Sequence, residues 1–232
     1  MRKAHFDDSW APLADEQRTA KGFTLIEILI VIGILAMLFV ALMPMITGAE
    51  AQEKISRTKA TIAAMVEAAN GYERQRRFGD YPPDDFRDTS GTLEITRGNG
   101  TNVGIESFMF FVNRADSQDP AFPKSDDRSI GNTDNDNGKP MIAKLERPER
   151  VEILDAWGNP FAYFHHRNYT VEQNYRLSEE AGDLDEAEQP VQAWKDGNRY
   201  LNLKTFQIFS AGPDGVYNTS DDVGNFETPD IG

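Results

Sequence analysis

The sequence has 232 residues, 39% of them hydrophobic and 27% charged, which is enough for one globular domain and an additional element. Its formal net charge of -14 argues against nucleic acid as a partner, because phosphate binding needs clustered Lys and Arg. The absence of cysteine excludes a disulfide framework and a thiolate zinc site.

The first predicted element is an apolar segment from Phe23 to Ile46, in which Glu27 is the only charged residue. A helix of about 20 such residues spans a bilayer, so the segment predicts a single-pass membrane helix. The residues before it carry as many acidic as basic side chains, unlike an ordinary secretory signal. Basic residues occur on both sides of the segment, so charge alone leaves its orientation open.

The helical pattern continues beyond the apolar segment as an amphipathic stretch. Apolar side chains recur there at helical spacing, at Ile55, Ile62, Met65, Ala69 and Tyr72. One helix is therefore predicted over residues 23–78, and Gly79 with Pro82 marks its end. Pro44 and Gly48 are expected to bend this helix.

From Asp80 onward, short apolar runs alternate with turn residues. These runs are candidates for strands or short helices, and they lie at residues 93–96, 108–112, 151–154, 160–164 and 206–209. Together with the long helix, they predict an α+β fold in which that helix packs on a small antiparallel sheet.

Glu27 is the fifth residue counted from Phe23 and lies inside the apolar segment. A lone carboxylate at the centre of a membrane span costs about 3 kcal/mol or more, so Glu27 is expected to have a partner. A free amino group at Phe23 would supply one if the chain were cut after Gly22, and that amine could belong to a neighbouring copy. The alternative is an ordinary signal anchor with a tolerated glutamate.

The run from Lys21 to Glu27, Lys-Gly-Phe-Thr-Leu-Ile-Glu, resembles the prepilin peptidase signature of type IV pilins and of the pseudopilins of type II secretion systems. The resemblance implies cleavage between Gly22 and Phe23, methylation of the new N-terminus, and a role for Glu27 in subunit docking. Pro44 lies at position 22 after this cut, where many members of the family also have proline.

The same resemblance implies an organisation and a set of partners. Residues 1–22 would form the leader, residues 23–78 the long helix, and residues 79–232 a head in the periplasm, with residues 23–46 as the inner-membrane anchor and filament core. The implied partners are prepilin peptidase, membrane lipid, further copies of the chain in a filament, other pseudopilins and an inner-membrane assembly platform.

Three carboxylates lie close together near the C-terminus, at Asp214, Asp221 and Asp222. Glycine and small polar residues separate them, which lets a loop fold around a cation. Calcium takes about six to eight oxygen ligands from carboxylates and backbone carbonyls, and these side chains could supply some of them. The alternative is a Pro-Asp-Gly hairpin turn followed by solvated acids.

Residues 210–226 resemble the C-terminal calcium loop of the major pseudopilin, and their Asp-Val-Gly-Asn-Phe ending carries the likeness. The resemblance implies that Asp214 and Asp222 are the principal side-chain ligands, with Asp221 close to them. It also makes the carbonyls of Ala211 and Thr219 candidate ligands.

Other motifs receive structural interpretations. Residues 155–161 resemble a Trp-Gly-Asn-Pro turn of the same family, with Trp157 expected in the core. Residues 132–138 alternate acids and amides but lack the glutamate that closes a calcium loop, so a solvated loop is expected. His165 and His166 would face opposite sides of a strand and could not easily share a metal.

Two classes of function remain open from the sequence. The first is structural, a pseudopilin that polymerises into the short periplasmic filament acting as the piston of type II secretion. The second is binding, a type IV pilin or minor pilin with an adhesive head. An enzyme is not expected, since the sequence has no nucleophile motif, no paired-histidine metal spacing and no phosphate loop.

Overall fold

The structure is a computed structural model of the chain, and it describes residues 22–74, 79–86, 99–113, 129–136, 150–178 and 188–229. The chain divides into two compact units, Met1–Thr47 and Gly48–Gly232. Helix α1, Leu25–Arg74, begins in the first unit and ends in the second.

The described part of the first unit is the start of helix α1. The side chains of residues 22–40 are all exposed, and Leu25 reaches 84%. Within the described part of the chain, no helix combines the length and the apolarity that a membrane crossing requires. The span over Phe23–Ile46 and the bend at Pro44 and Gly48 stay predictions.

The second unit contains the rest of α1, a second helix and a set of short strands. Helix α2 is Val103–Val112. The described strands are β1 (Ile130–Gly131), β2 (Glu152–Ile153), β3 (Ala162–His165), β4 (Gln173–Arg176), β5 (Glu188–Val191), β6 (Lys195–Asp196), β7 (Arg199–Tyr200), β8 (Phe206–Ser210) and β9 (Val223–Gly224). A short 3-10 helix, His166–Asn168, follows β3.

The strands form small antiparallel sheets. The largest has the order β3-β8-β9, with Ala162 opposite Phe209 and Phe209 opposite Gly224. Two-stranded sheets pair β1 with β2, β4 with β5, and β6 with β7. Helix α2 contacts β2, β3 and β4, so it joins three of these sheets.

The core of the second unit is largely aromatic. Helix α1 contributes Met65, helix α2 contributes Phe108, and the central sheet contributes Tyr163 and Phe209, all fully buried. Each such side chain stabilises the fold by about 1.5–3 kcal/mol when it leaves water. The apolar face predicted for α1 is confirmed between Ile62 and Tyr72, whereas Ile55 is only half-buried.

The α+β fold class is confirmed, with helices and small antiparallel sheets. The run 108–112 is the end of helix α2, and the runs 151–154, 160–164 and 206–209 overlap β2, β3 and β8. The run 93–96 lies outside the described residues.

The turn at residues 155–160 differs from expectation in one respect, since Trp157 is half-buried and not part of the core. Asp155 holds the turn instead. Its Oδ1 accepts the backbone N–H groups of Trp157 at 2.8 Å and Asn159 at 2.9 Å, and the Ser210 hydroxyl donates to its Oδ2. The turn therefore connects to strand β8 through a buried carboxylate.

Candidate functional site

Gly22 and Phe23 precede helix α1 in non-helical backbone, and both are exposed. Thr24 and Glu27 then form a reciprocal contact. The Thr24 backbone N–H and hydroxyl each lie 2.8 Å from Glu27 Oε2, and the Glu27 N–H donates to Thr24 Oγ1 at 3.3 Å. This is a capping box, which satisfies free N–H groups at a helix start. The Thr-x-x-Glu spacing signals it in the sequence, but the prediction assigned Glu27 to docking alone.

The C-terminal loop follows strand β8 and turns tightly at Gly212. Gly212 has a φ of +66°, and a Cβ atom there would lie 2.3 Å from the Asp221 carbonyl oxygen. Glycine is therefore required twice, for its backbone conformation and for this close approach. Ala211, just before it, is fully buried. The loop is thus closed on itself between Gly212 and Asp221.

Asp214, Thr219 and Asp221 form one hydrogen-bonded group inside this loop. Asp221 Oδ2 accepts the Asp214 N–H at 3.1 Å, and the Thr219 hydroxyl contacts Asp214 Oδ2 and Asp221 Oδ1. Partial burial raises the pKa of Asp214, and the charge of Asp221 adds to this effect. Partial burial acts on Asp221 too, but hydrogen bonds from Thr219 and from the Asp214 N–H outweigh it and lower the pKa of that carboxyl.

Asp222 is buried behind this group. Its Oδ2 accepts the Trp194 indole N–H at 2.8 Å and the Asn218 backbone N–H at 2.9 Å, while its own N–H donates to the Thr219 carbonyl at 3.2 Å. Its Oδ1 is buried and accepts no hydrogen bond from the described residues. Burial raises the pKa of Asp222 to about 7. This carboxyl therefore has one oxygen that is fixed by the protein and one that has no hydrogen-bond partner among the described residues.

Among the described residues, two groups hold three metal-ligand side chains with ligand atoms within 4.8 Å of one another, and the C-terminal aspartates are not one of them. The groups are Asp80 with His165 and His166, and Glu106 with Asp134 and Glu152. The structure thus links Asp214 to Asp221 through Thr219, and places Asp222 against Trp194.

The prediction that His165 and His166 point apart is wrong. Their ring centroids lie 4.3 Å apart, because strand β3 ends at His165 and the chain continues as a 3-10 helix. His165 Nε2 lies 3.2 Å from Asp80 Oδ1, its Nδ1 accepts the Arg167 N–H, and His166 Nδ1 lies 3.0 Å from the Thr205 carbonyl. Burial lowers the pKa of His165 to about 4. Protein groups therefore occupy both nitrogens of the neutral His165 ring.

The prediction of a solvated loop at residues 132–138 is also wrong for its described part. Asp134 is 7% and Asp136 8% exposed. Both are buried by contacts with elements distant in sequence, among them Glu152 on β2 and Arg150 just before it. Residues 137 and 138 lie outside the described residues.

A family model for the prokaryotic N-terminal methylation motif matches residues 17–43. The match includes Gly22, Phe23 and Glu27 and supports a type IV pilin-like precursor processed by prepilin peptidase, which implies pilus-like assembly. Comparisons with curated proteins and with solved structures give no match.

Proposed function

We propose that the chain is a structural filament subunit, a pseudopilin of a type II secretion system. The methylation motif at residues 17–43 supports this proposal, in which Gly22 and Phe23 would form the processing site and Glu27 would be an assembly position. After processing, the exposed apolar side chains of residues 25–40 would lie in the inner membrane and then among the helices of neighbouring copies. Such a subunit needs no catalytic residue.

Glu27 would join one copy to the next. In the isolated chain its carboxylate accepts hydrogen bonds from Thr24 alone among the described residues. The protonated amine of a processed Phe23 on a neighbouring copy would add a charge-assisted hydrogen bond, which is about twice as strong as a neutral one. The capping box holds the carboxylate at the helix start, so it is positioned before the neighbour arrives.

The substitution Glu27→Gln tests this pairing. Glutamine at the same position can still complete a capping box, so helix α1 keeps its start while the charge is lost. We expect the variant to be processed normally, with a mature N-terminus at Phe23, and to enter filaments at least tenfold less than the unchanged protein. N-terminal sequencing of the purified protein and quantification of sheared filaments measure the two steps.

Thr24→Ala is the matched control, because it removes the hydroxyl contacts of the capping box but keeps the backbone N–H that holds the carboxylate, which stays charged. We expect this variant to be processed and incorporated. Normal incorporation of Glu27→Gln would contradict the charge pairing. A native protein that still begins at Met1 would overturn the whole proposal.

The proposal includes calcium in the C-terminal loop. Asp214, Asp221 and Asp222 would supply carboxylate oxygens, and Ala211 and Thr219 would supply carbonyls. The buried, unpaired Oδ1 of Asp222 and the closeness of Asp214 and Asp221, which share the Thr219 hydroxyl, support this assignment. Bound calcium would neutralise acids that otherwise repel one another and would fasten the loop in a chain that lacks disulfides.

The second candidate function is a type IV pilin with a binding head. A cavity of about 340 Å³ in the second unit, lined by Asp84, Asn168 and Gln173 among others, favours it. Deleting the gene separates the two functions. Loss of secretion would support the pseudopilin, whereas loss of long surface fibres with secretion intact would support the binding pilin.

A further inference from the structure

Four buried carboxylates meet beside helix α2, and we call them the acidic cluster. Glu106 comes from α2, Glu152 from β2, and Asp134 and Asp136 from the segment after β1. None of these residues is more than 8% exposed. Ligand oxygens of Glu106, Asp134 and Glu152 all lie within 4.8 Å of one another. Three separate elements therefore direct negative charge at one buried point.

The cluster has too little positive charge of its own. Among the described residues, Arg150 is the cation paired with it, with Nη1 3.4 Å from Glu106 Oε2 and Nε 3.5 Å from Asp136 Oδ2. The same guanidinium also lies 4.8 Å from the centroid of the Phe86 ring. One guanidinium balances one carboxylate charge, and buried charges without a partner are strongly unfavourable.

Several oxygens in the cluster also lack hydrogen bonds. Glu106 Oε1, Asp134 Oδ2 and Asp136 Oδ1 are buried and accept none from the described residues, and Asn132 Oδ1 is in the same condition. Buried polar atoms in folded proteins nearly always have a partner. Glu152 differs, since Asn102 Nδ2 and the Thr133 N–H each donate to it at 3.0 Å.

Burial accounts for the protonation behaviour of the cluster in the absence of a cation. It raises the pKa of Glu106 to about 10, and the charges of Asp136 and Asp134 add to the effect. Burial likewise raises the pKa of Asp136 to about 6.

We propose that the acidic cluster binds a calcium ion through Glu106, Asp134 and Glu152. Two oxygens on one calcium, each bonded at about 2.3–2.6 Å, lie at most about 5 Å apart, in agreement with the observed spacing. All three candidate ligands supply carboxylate oxygens, which suit a hard cation. Magnesium keeps several waters, so a buried cage of protein oxygens favours calcium.

The site shares no residue with the C-terminal loop, so the two can be tested separately. Glu106→Gln preserves size and removes one ligand charge. In the full chain in detergent, we expect this variant to bind one calcium ion fewer per chain than the unchanged protein, by equilibrium dialysis and metal analysis. Glu50→Gln, at an exposed position of helix α1, is the matched control and should bind the full complement.

Melting temperatures give a second readout. The difference in melting temperature between the variant and the unchanged protein should change sign with calcium at a metal site, but not in a structural network. In chelator, Glu106→Gln should melt at or above the unchanged protein, because a neutral glutamine costs less to bury beside other acids than a glutamate. In calcium the order should reverse, because the variant has lost a ligand. Asp134→Asn should behave in the same way.

Two results would overturn the inference. One is an unchanged calcium content in both Glu106→Gln and Asp134→Asn. The other is a stability order that is the same in chelator and in calcium, which would identify the cluster as a proton-sharing network around Arg150. Asp222→Asn should leave the calcium bound to the acidic cluster in place. If the C-terminal loop bound no calcium, the effects of Glu106→Gln and Asp134→Asn would therefore be unchanged.

Discussion

Asp222 illustrates how one side chain could serve both the fold and the proposed calcium ion. Burial raises its pKa to about 7, although Trp194 and Asn218 donate hydrogen bonds that oppose the shift. A carboxyl whose pKa is higher in the folded than in the unfolded chain binds its proton more tightly when folded. Without calcium, its contribution to stability is therefore present below pH of about 4 and lost as pH rises to about 7.

The substitution Asp222→Asn separates the charge of this residue from its hydrogen bonds. Asparagine keeps an oxygen for Trp194 and Asn218 and loses the charge. We expect calcium to raise the melting temperature of the unchanged protein at pH 7 more than that of the variant. Calcium at about 100 times its dissociation constant stabilises by about 2.7 kcal/mol, and the variant should lose that increment for the loop site. Thermal melts in calcium and in chelator measure it.

Asp222→Ala is the comparison for the hydrogen bonds. It leaves the Trp194 indole N–H and the Asn218 N–H without this acceptor, so it should melt below Asp222→Asn in chelator, by about 1–3 kcal/mol of stability. An equal calcium increment in the unchanged protein and in both variants would count against calcium in the loop.

At the scale of elements, the C-terminal loop depends on one backbone contact. Gly212→Ala would add a methyl group 2.3 Å from the Asp221 carbonyl oxygen, in addition to the cost of placing a side chain at positive φ. We expect the variant to lose more than about 2 kcal/mol of stability, since the φ cost alone is about 1–2 kcal/mol. Denaturant unfolding in chelator measures the loss without a contribution from calcium.

Gly197→Ala is the matched control for that loss. Gly197 has a φ of +55° in the turn between β6 and β7, and a Cβ atom there would meet nothing within 4 Å. The control therefore has the backbone cost without the steric one. If both variants were equally destabilised, the contact between Gly212 and Asp221 would have no energetic role.

The elements that local pattern determines could be predicted from the sequence. Helix α1 was readable because its apolar residues recur at helical spacing, and β8 because Thr205 to Phe209 is rich in aromatic and β-branched residues. Helix α2 was ambiguous, since its aromatic run from Phe108 suits a strand as well as a helix. Packing against three sheets decides its form, and the sequence does not contain that packing.

The candidate sites likewise divide into one that local spacing reveals and one that only tertiary packing creates. The capping box of Thr24 and Glu27 involves residues three apart and could have been read from their spacing. The acidic cluster could not be predicted in this way, because Glu106, Asp134 and Glu152 are far apart in sequence. Taken singly, each acidic residue would be expected at the surface. Only the meeting of α2, β1 and β2 buries them together.

At the scale of the whole molecule, the net negative charge lies outside the proposed leader, residues 1–22. Residues 1–22 contain four basic and four acidic side chains, so the formal charge of -14 belongs to residues 23–232. A filament of processed copies would therefore bring strongly acidic chains side by side. Their repulsion would oppose assembly, whereas the apolar start of helix α1 and the proposed Glu27 pairing would favour it.

Salt should therefore strengthen the filament. Raising potassium chloride from about 0.01 M to about 1 M shortens the screening length from about 30 Å to about 3 Å, so repulsion between neighbouring acidic chains fades. We expect sheared filaments to sediment more completely as salt rises. At equal ionic strength, calcium chloride should have a larger effect, because calcium also binds carboxylates and lowers the net charge. Filaments that dissociate as potassium chloride rises would show that ion pairs between copies, and not the apolar helices, hold them together.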